Sequence, residues 1–282
     1  MADRVSSGGR TARLRGVVRE GVAARAAVGG WHPVEWGCEF AGTALQLGVA
    51  FWLVAALESP LSPLNSAIPW PTLRLILIGL GIGALAWLVA LSPLGRRSGA
   101  HLNPAVTVGF WARGVTHVHD LVGFVLAQFA GATLGALVFV LAAGSWAQTA
   151  GYARTEPAVG PWTALGVEVA ISFVLVLAIL LFASSKRTHR WTPAVATLAL
   201  AVLIPLGGPP TGASMNPART FGPDLVSGNF PALWVYLLGP IAGALLAAAA
   251  FPLLARGRRV LTGKLHHDPR YRSVHADAFR SP

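Results

Sequence analysis

The sequence predicts an all-α membrane protein with six transmembrane helices, two re-entrant half-helices and an inverted internal repeat. Three observations lead to this fold class. The 282 residues are 54% hydrophobic and only 12% charged, with a mean hydropathy of +0.59, outside the usual composition of soluble domains. Six apolar runs meet or approach the roughly 20 residues that a helix needs to cross the hydrocarbon. A similar loop interrupts each half, as SGAHLNPAVT at 98–107 and TGASMNPART at 211–220.

The spans and the short apolar stretches between them imply an internal cavity. Apolar stretches follow each NPA triplet, AVTVGFW at 105–111 and ARTFGPDLV at 218–226, and both are too short to cross. Roughly ten helical residues rise about 15 Å, which is half of a bilayer. Backbone that leaves a helix at membrane depth is tolerated only inside protein or beside a water-filled cavity. The six predicted spans lie near 36–57, 73–93, 119–143, 162–183, 193–208 and 231–254.

Basic residues predict the orientation of the chain and its domain boundaries. All but three of the 22 Lys and Arg residues lie in the two tails or in the segments that follow the second and fourth spans. This bias predicts cytoplasmic termini. We expect a disordered basic cytoplasmic tail over 1–30, a membrane domain over 31–255 and a basic cytoplasmic tail over 256–282. The N-terminal tail lacks the apolar region of a signal peptide, and the composition suits a bacterial inner (plasma) membrane.

The two halves of the membrane domain, about 31–143 and 162–255, repeat one another. Each half contains three spans, so the second half enters the membrane inverted relative to the first. Such repeats bring a discontinuous helix from each half to a meeting point near the bilayer midplane. The matching pieces are CEFAGTALQL at 38–47 with VEVAISFVLV at 167–176, LNPAV at 102–106 with MNPAR at 215–219, and QFAGATLGALV at 128–138 with GPIAGALLAAA at 239–249.

Each NPA triplet predicts the start of a helix. Asn is a strong N-cap, and Pro suits the first helical position because its missing N–H would have no partner there. Half-helices that begin at Asn103 and Asn216 would point their positive ends at each other, with the Asn amides donating to a passing water. A cation would meet two positive dipole ends, and a proton would find the water chain reoriented. The predicted pore motifs are Asn103, Pro104, Ala105, Asn216, Pro217 and Ala218.

The loop before each Asn and the Arg after the second one are further candidates. Gly allows unusual dihedrals and close backbone approach, so we expect the loop carbonyls to face the lumen as acceptors. Arg219 shares a helix face with Asn216, and an Arg at membrane depth marks a functional site. An Arg that snorkels to the headgroups is the alternative. The residues of the expected carbonyl ladder are Gly99, Ala100, His101, Gly212, Ser214 and Met215.

These motifs together resemble the aquaporin or major intrinsic protein family. Two NPA motifs, the second continuing as NPAR, stand on six spans with Glu39 in the first and Glu168 in the fourth, and the similarity covers about 30–255. The resemblance implies a passive channel for water and small uncharged solutes, in membrane lipid, as a homotetramer and without cofactor or metal. It also implies that the two Glu residues accept hydrogen bonds from loop N–H groups and that Arg219 stands at the outer constriction.

The constriction is where the sequence departs from the family's patterns. Water channels of the family pair the Arg with an aromatic residue on the second span and a His on the fifth. Counting twenty and twelve residues back from the two NPA Asn residues gives Gly83 and Ile204. Ala213 replaces the aromatic residue of glycerol facilitators, and we expect Trp87 to pack or to face lipid. These residues and Arg219 predict a wide, apolar selectivity filter that passes water and also glycerol or another small neutral solute.

Other classes of function remain as alternatives. A glycerol or polyol facilitator with little water selectivity, or a non-conducting structural protein on the same fold, would carry the same motifs. An enzyme is disfavoured because no nucleophile or metal constellation stands at a useful spacing, and Asp120 is interpreted as a solvated helix start. An active transporter would need a pair of buried acids at the midplane, and no such pair is evident in the sequence. The tails lack the aromatic interleaving of a nucleic-acid-binding segment, and a single Cys38 excludes an internal disulfide.

Overall fold

The computed structural model describes residues 30–271 and 273–278. In this part of the chain the regular structure is helical, and no strand is present. The tail expected over 1–30 lies outside the described residues except for its last residue. The helices are α1 (Pro33–Glu58), α2 (Pro63–Ala67), α3 (Pro71–Leu91), α4 (Pro93–Ser98), α5 (Pro104–Ala112), α6 (Val118–Ala143), α7 (Ser145–Thr149), α8 (Pro161–Phe182), α9 (Thr192–Thr211), α10 (Pro217–Ser227) and α11 (Leu233–Leu254).

Six of these helices, α1, α3, α6, α8, α9 and α11, are long and apolar enough to cross a membrane. They coincide with the six predicted spans to within a few residues, so the predicted fold class is confirmed. Helices α5 and α10, which follow the NPA triplets, have only 9 and 11 residues. Six crossings return the chain to the side where it started. The side on which α1 begins and α11 ends is called the terminal side below, and the other is called the far side.

Proline begins most of the helices, which explains why the sequence breaks where it does. Pro33, Pro71, Pro104, Pro161 and Pro217 each stand in the first turn of a helix. The fixed φ of Pro already matches the helix, and its missing N–H leaves no hydrogen bond unmade at that position. The chain can therefore leave one helix and begin another at membrane depth at a small cost.

Glycine lets paired spans cross closely, and the crossings are repeated between the halves. A Cβ atom at Gly131 of α6 would lie 2.4 Å from the carbonyl oxygen of Phe40 on α1. A Cβ atom at Gly243 of α11 would lie 2.4 Å from the carbonyl oxygen of Val169 on α8. Small residues at helix crossings allow this approach of two backbones. Since Phe40 follows Glu39 as Val169 follows Glu168, the two crossings are equivalent positions of the predicted repeat.

Helices α3 and α9 join the two halves along an antiparallel contact. A Cβ atom at Gly79 would lie 2.5 Å from the carbonyl oxygen of Leu200, and one at Gly83 would lie 2.5 Å from the Cα of Thr197. These two contacts fix the register of the pair, because a step along α3 is matched by an equal step backwards along α9.

Asp120 is not the solvated helix start that its sequence neighbourhood suggests. Its carboxylate is fully buried, accepts a hydrogen bond from the Trp36 indole N–H at 3.0 Å and pairs with the His32 ring at 2.9 Å. The interpretation is wrong because the chain that enters α1 folds over the start of α6 and covers it.

The segment after α11 also differs from the tail expected over 256–282. Residues 258–271 and 273–278 fold back over the terminal side, and the Ala276 N–H donates to the Val115 carbonyl at 2.8 Å. Lys264 and His275 are almost fully buried. The basic composition of the segment gives no sign of the apolar and backbone contacts that hold it against the helices. Its residues are called the C-terminal segment below.

Candidate functional site

Both half-helices begin at the Asn residues of the NPA triplets. Asn103 Oδ1 accepts a hydrogen bond from the Ala105 N–H at 2.8 Å, and Asn216 Oδ1 accepts one from the Ala218 N–H at 3.0 Å. Each Asn therefore caps its own helix, with the Pro of the triplet in the first turn. Because the side-chain oxygen is occupied by the cap, the amide NH₂ group points away from its own helix.

The two caps meet through a crossed pair of hydrogen bonds. Asn103 Nδ2 donates to the Met215 carbonyl at 2.8 Å, and Asn216 Nδ2 donates to the Leu102 carbonyl at 3.0 Å. The structure thus brings together two loops that lie more than a hundred residues apart in the chain. An amide NH₂ group has two N–H donors, so each Asn retains one donor for a molecule beside it.

Two buried carboxylates hold the loops in matching positions. Glu39 and Glu168 are both inaccessible to solvent, and each accepts two backbone N–H bonds and one hydroxyl bond from the loop of its own half. Bonds to an ionised carboxylate are among the strongest hydrogen bonds in proteins. Glu39 accepts from His101 N at 3.0 Å, Leu102 N at 2.8 Å and Ser98 Oγ at 2.7 Å, and Glu168 accepts from Ser214 N at 2.9 Å, Met215 N at 2.9 Å and Thr211 Oγ1 at 2.7 Å.

The loops also share an unusual backbone conformation. Ala100, Leu102, Ala213 and Met215 have φ values of 55°, 54°, 48° and 51°. Side chains other than Gly rarely adopt this left-handed region, and such residues persist only where the surroundings impose them. The carboxylate bonds supply that constraint at equivalent positions of both halves. Gly99 at 111° and Gly212 at 75° begin the two loops.

A cavity of about 80 Å³ lies where the two loops meet. One buried water needs roughly 10–15 Å³ of such space, so several water molecules fit. Of the loop residues singled out by the sequence, Gly99 and Gly212 do not line this cavity, whereas Ala100, His101, Asn103, Ala213, Ser214, Met215, Asn216 and Arg219 do. The spanning helices contribute Gln46 and Leu47 from α1, Ile82 and Ala86 from α3, Leu175 and Ile179 from α8, and Ala196, Leu200 and Ile204 from α9.

Arg219 is held against the cavity by contacts on the far side. Its Nη1 donates to the Ala153 carbonyl at 2.8 Å, and the guanidinium carbon lies 5.9 Å from the centre of the Phe51 ring. The backbone N–H of Arg219 also reaches the Asn216 cap at 3.3 Å. The side chain is thus directed to the interior of the bundle and fixed there, rather than extended towards lipid headgroups.

Gly83 does not line the cavity, although counting back from Asn103 predicts that it does. It packs against Thr197 of α9, and Ile82 and Ala86 of α3 line the cavity instead. By the register of α3 and α9, Ile204 lies about seven residues, or roughly 10 Å, further towards the far side than Gly83. The prediction that Gly83 frames a constriction together with Ile204, Ala213 and Arg219 is therefore wrong for Gly83. The count back from the first NPA Asn runs through the separate helix α4, whose length the count did not allow for.

The C-terminal segment covers the terminal-side mouth of the cavity. Leu265 is one of the lining residues, and the rings of His101 and His275 stack with their centres 5.0 Å apart. Burial, followed by the neighbouring His101 and Lys264, lowers the pKa of the His275 imidazole well below its ordinary value. The hydrogen bonds to the first loop are from Leu265 N to the Gly99 carbonyl at 3.0 Å, from His101 Nε2 to the Gly263 carbonyl at 2.6 Å and from His275 Nε2 to the Ser98 carbonyl at 2.6 Å.

The apolar lining residues of the spanning helices other than Ile204, and three further residues of the site, are absent from the sequence-based predictions. Gln46 lines the cavity, Leu265 closes it on the terminal side, and Gln128 Nε2 donates to Glu39 at 2.8 Å. The two Gln residues had a signal, since each interrupts an apolar span with a polar side chain. Nothing in the sequence of the basic tail marks Leu265.

Six spans, two opposed half-helices and an internal cavity lined by both halves define a membrane channel of the inverted-repeat type. The model of the Major intrinsic protein family matches residues 36–251, and the chain belongs to this family. It is a multi-pass membrane protein and, like other members, a channel for water or small solutes rather than an enzyme.

Individual relatives agree with this assignment. The chain is 35% identical over 189 residues to Aquaporin AqpM of Methanothermobacter thermautotrophicus, which covers 64% of this chain and 76% of the relative. It is 40% identical over 178 residues to Aquaporin NIP1-4 of Oryza sativa subsp. japonica, covering 61% and 64%. An X-ray structure of the aquaglyceroporin from Plasmodium falciparum superposes with a TM-score of 0.62 over 77% of this chain and 94% of that one. At 20% identity, this last similarity shows the fold alone.

Proposed function

We propose that this chain conducts water and small uncharged solutes passively and excludes ions and protons. The observation that carries the proposal is the crossed pair of Asn caps beside the cavity. Each half-helix directs the positive end of its dipole at the meeting point. A neutral molecule with an acceptor atom can take the free N–H of each Asn, whereas a cation is repelled by both helix ends.

Proton exclusion follows from the same donors. A water whose oxygen accepts from Asn103 and Asn216 directs both of its hydrogens away from the pair. A proton relay needs an unbroken series of donors and acceptors along a water chain. The central water interrupts that series, because its oxygen is already occupied by the two amides.

Arg219 adds a full charge to the wall of the cavity. Its guanidinium is fixed by Ala153 and packs over Phe51, so the charge stays in place while solutes pass. A cation at about 6 Å from it would be opposed by roughly 3 kcal/mol at an effective dielectric constant of 20. The unused N–H groups of Arg219 are donors for a neutral solute.

Small polyols such as glycerol are the favoured solutes besides water. Ala213 leaves space where a larger residue would narrow the lumen, and the walls from α8 and α9 present Leu175, Ile179, Leu200 and Ile204. An apolar wall opposite a polar one suits a molecule with a carbon backbone and hydroxyl groups on one side. A polyol facilitator with little water selectivity is the second candidate, and a non-conducting structural role is the outcome that flux measurements would reveal.

The channel is proposed to lie in the bacterial inner (plasma) membrane with its termini in the cytoplasm. The excess of Lys and Arg on the terminal side supports this orientation. We also propose a homotetramer surrounded by lipid, as implied by the family, with one pore in each subunit. Gel filtration against a detergent-matched standard measures the assembly directly.

Stopped-flow light scattering on proteoliposomes tests the conduction. Vesicles with the protein should shrink in an osmotic gradient several times faster than protein-free vesicles, without acidifying in a pH gradient. Asn216→Ala should slow water flux because it removes the cap and one central donor. Asn229→Ala, an exposed residue after α10, is the matched control and should leave the flux unchanged. Water flux equal to that of empty vesicles, or proton flux that rises with water flux, would contradict the proposal.

A further inference from the structure

Gln46 is a polar side chain in an otherwise apolar wall. Among the described residues that line the cavity, it is the only polar side chain contributed by a membrane-spanning helix. Its Nε2 donates to the Ile82 carbonyl at 3.5 Å, while Oε1 has no hydrogen-bond partner. The residue is 5% exposed. A buried acceptor without a partner is costly, and beside a cavity a mobile molecule can fill the vacant bond.

Gln46 stands at about the level of the crossed Asn pair. Gly42, one helical turn before it on α1, packs against Leu102, which directly precedes Asn103. Four residues of helix rise about 6 Å, so Gln46 lies about one turn from the level of Leu102, and it lines the same cavity as Asn103 and Asn216. The centre of the cavity therefore combines donors from the half-helices with one acceptor from the wall.

We propose that Gln46 is a specificity-determining residue for solutes with hydroxyl groups. A hydroxyl that accepts from Asn103 or Asn216 can donate its own hydrogen to Gln46 Oε1 at the same time. This inference rests on the proposed channel function and assigns the preferred solute to small polyols. A solute that cannot donate leaves the Gln46 acceptor unpaired as it passes.

Water and polyols depend on Gln46 to different extents. A water molecule can rotate and donate to any loop carbonyl or to the next water in the file. The hydroxyls of glycerol are fixed along a carbon chain, so they cannot move to another acceptor without leaving the Asn donors. Loss of the Gln46 acceptor therefore removes a hydrogen bond from glycerol that water can replace.

Gln46→Met tests the proposal, since Met keeps the length and volume of the side chain without the amide. We expect glycerol permeability to fall about fivefold, the equivalent of one hydrogen bond, while water permeability changes less than twofold. Thr43→Val is the matched control: Thr43 lies on the same helix, its hydroxyl is buried without a partner, and it does not line the cavity. It should alter neither flux. If Gln46→Met does not fold, Gln46→Leu replaces it.

The outcomes separate this inference from the channel function. Unchanged glycerol flux in the Gln46 variants, or a wild-type protein that passes water but not glycerol, would overturn the role of Gln46 and leave the channel intact. Equal loss of water and glycerol flux would indicate a purely structural role and would also overturn it. A wild-type protein that passes neither water nor glycerol would contradict the proposed function itself.

A different observation, the position of the C-terminal segment, carries a second inference. We infer that this segment obstructs the terminal-side mouth of the pore and that its release raises conduction above the level of the docked protein, an inference that rests on the proposed channel function. Three hydrogen bonds join it to the loop from Ser98 to His101, and Leu265 forms part of the cavity wall. Its further hydrogen bonds, from Ala276 N to the Val115 carbonyl and from Leu261 N to the Ala183 carbonyl, go to residues outside the six spanning helices, so the segment can leave with these helices in place.

Deleting residues 258–282 tests closure, and His275→Ala tests it without truncation. His275 donates to the Ser98 carbonyl and also bonds to Thr116 Oγ1 at 3.2 Å. Loss of two hydrogen bonds, at about fivefold each, shifts the ratio of docked to released segment about 25-fold. Both variants should therefore raise water permeability, and His266→Ala, on the same segment, should not. If the truncated protein does not fold, His275→Ala decides. Permeability of the folded variants equal to wild type would overturn the inference.

Discussion

Replacing Glu168 with Gln should disable the second loop by removing a single charged acceptor. Glu168 Oε1 accepts from Thr211 Oγ1 and Ser214 N, and Oε2 accepts from Met215 N at 2.9 Å. In Glu168→Gln one oxygen becomes an NH₂ group that faces the Met215 N–H. One charge-assisted bond is lost and a buried N–H is left unpaired, which together cost about 3 kcal/mol. At 2–4 °C for each kcal/mol, the unfolding temperature should fall by about 6–12 °C.

Loss of the hydrogen bond between Met215 N and Glu168 should change the pore, because Met215 also contacts Asn103. The φ of 51° at Met215 is unfavourable for a residue with a side chain, and its carbonyl is the acceptor for Asn103 Nδ2. Once the Glu168 bond is gone, the loop can relax and the crossed Asn contact weakens. We expect water permeability in proteoliposomes to fall together with the unfolding temperature.

Glu58→Gln is the control for removing a negative charge from a helix. Glu58 pairs with Arg74 at 3.2 Å and its side chain is 32% exposed, so the pair contributes about 0–1 kcal/mol. Thermal unfolding in detergent and stopped-flow light scattering should separate the two variants clearly. If Glu168→Gln unfolds at the temperature of Glu58→Gln and conducts like wild type, the carboxylate does not hold the loop and the reasoning fails.

Three further predictions concern helix packing, charge and pH. Gly243→Ala should lower the free energy of unfolding by about 1–3 kcal/mol, because its Cβ would lie 2.4 Å from the Val169 carbonyl. Gly166→Ala has open space beside it and should stabilise α8 by about 0.5–1 kcal/mol. Equal shifts of the two unfolding temperatures would contradict the close packing of α11 against α8. Arg219→Val should raise the leak of small cations more than tenfold, measured by ion flux into vesicles, and an unchanged leak would remove Arg219 from ion exclusion. Because the pKa of His275 is lowered in the docked segment, docking is fully favoured above the ordinary His pKa of about 6.5 and weakens as the pH falls below it. The groups that face this ring are His101, Lys264 and His32. Because acidification weakens docking, water permeability should rise when the terminal side is acidified, and His275→Ala should flatten this pH profile.

Local chemistry explains why much of the pore could be predicted from the sequence. Asn followed by Pro favours a helix start through local geometry, and a Glu buried in an apolar span needs hydrogen-bond donors. The hydrogen bonds of Asn103, Asn216, Glu39 and Glu168 therefore match what their residue types require.

The level of one helix against another and the long-range contacts could not be predicted from the sequence. Gly83 was misplaced because the level of one helix against another is set by packing, here by Gly79 and Gly83 against α9. The C-terminal segment was missed because its basic composition is typical of a tail. Its attachment depends on backbone bonds such as Leu265 N to the Gly99 carbonyl, which any residue could make.

The reciprocal amide contacts make each half of the chain incomplete without the other. Asn103 has no acceptor for its amide until Met215 has been synthesised and inserted, more than a hundred residues later. Until then the first loop keeps its strained shape only through contacts within its own half, such as those of His101 to Glu39 and Thr107, and the pore becomes a finished structure when the second loop arrives from the opposite face of the bilayer.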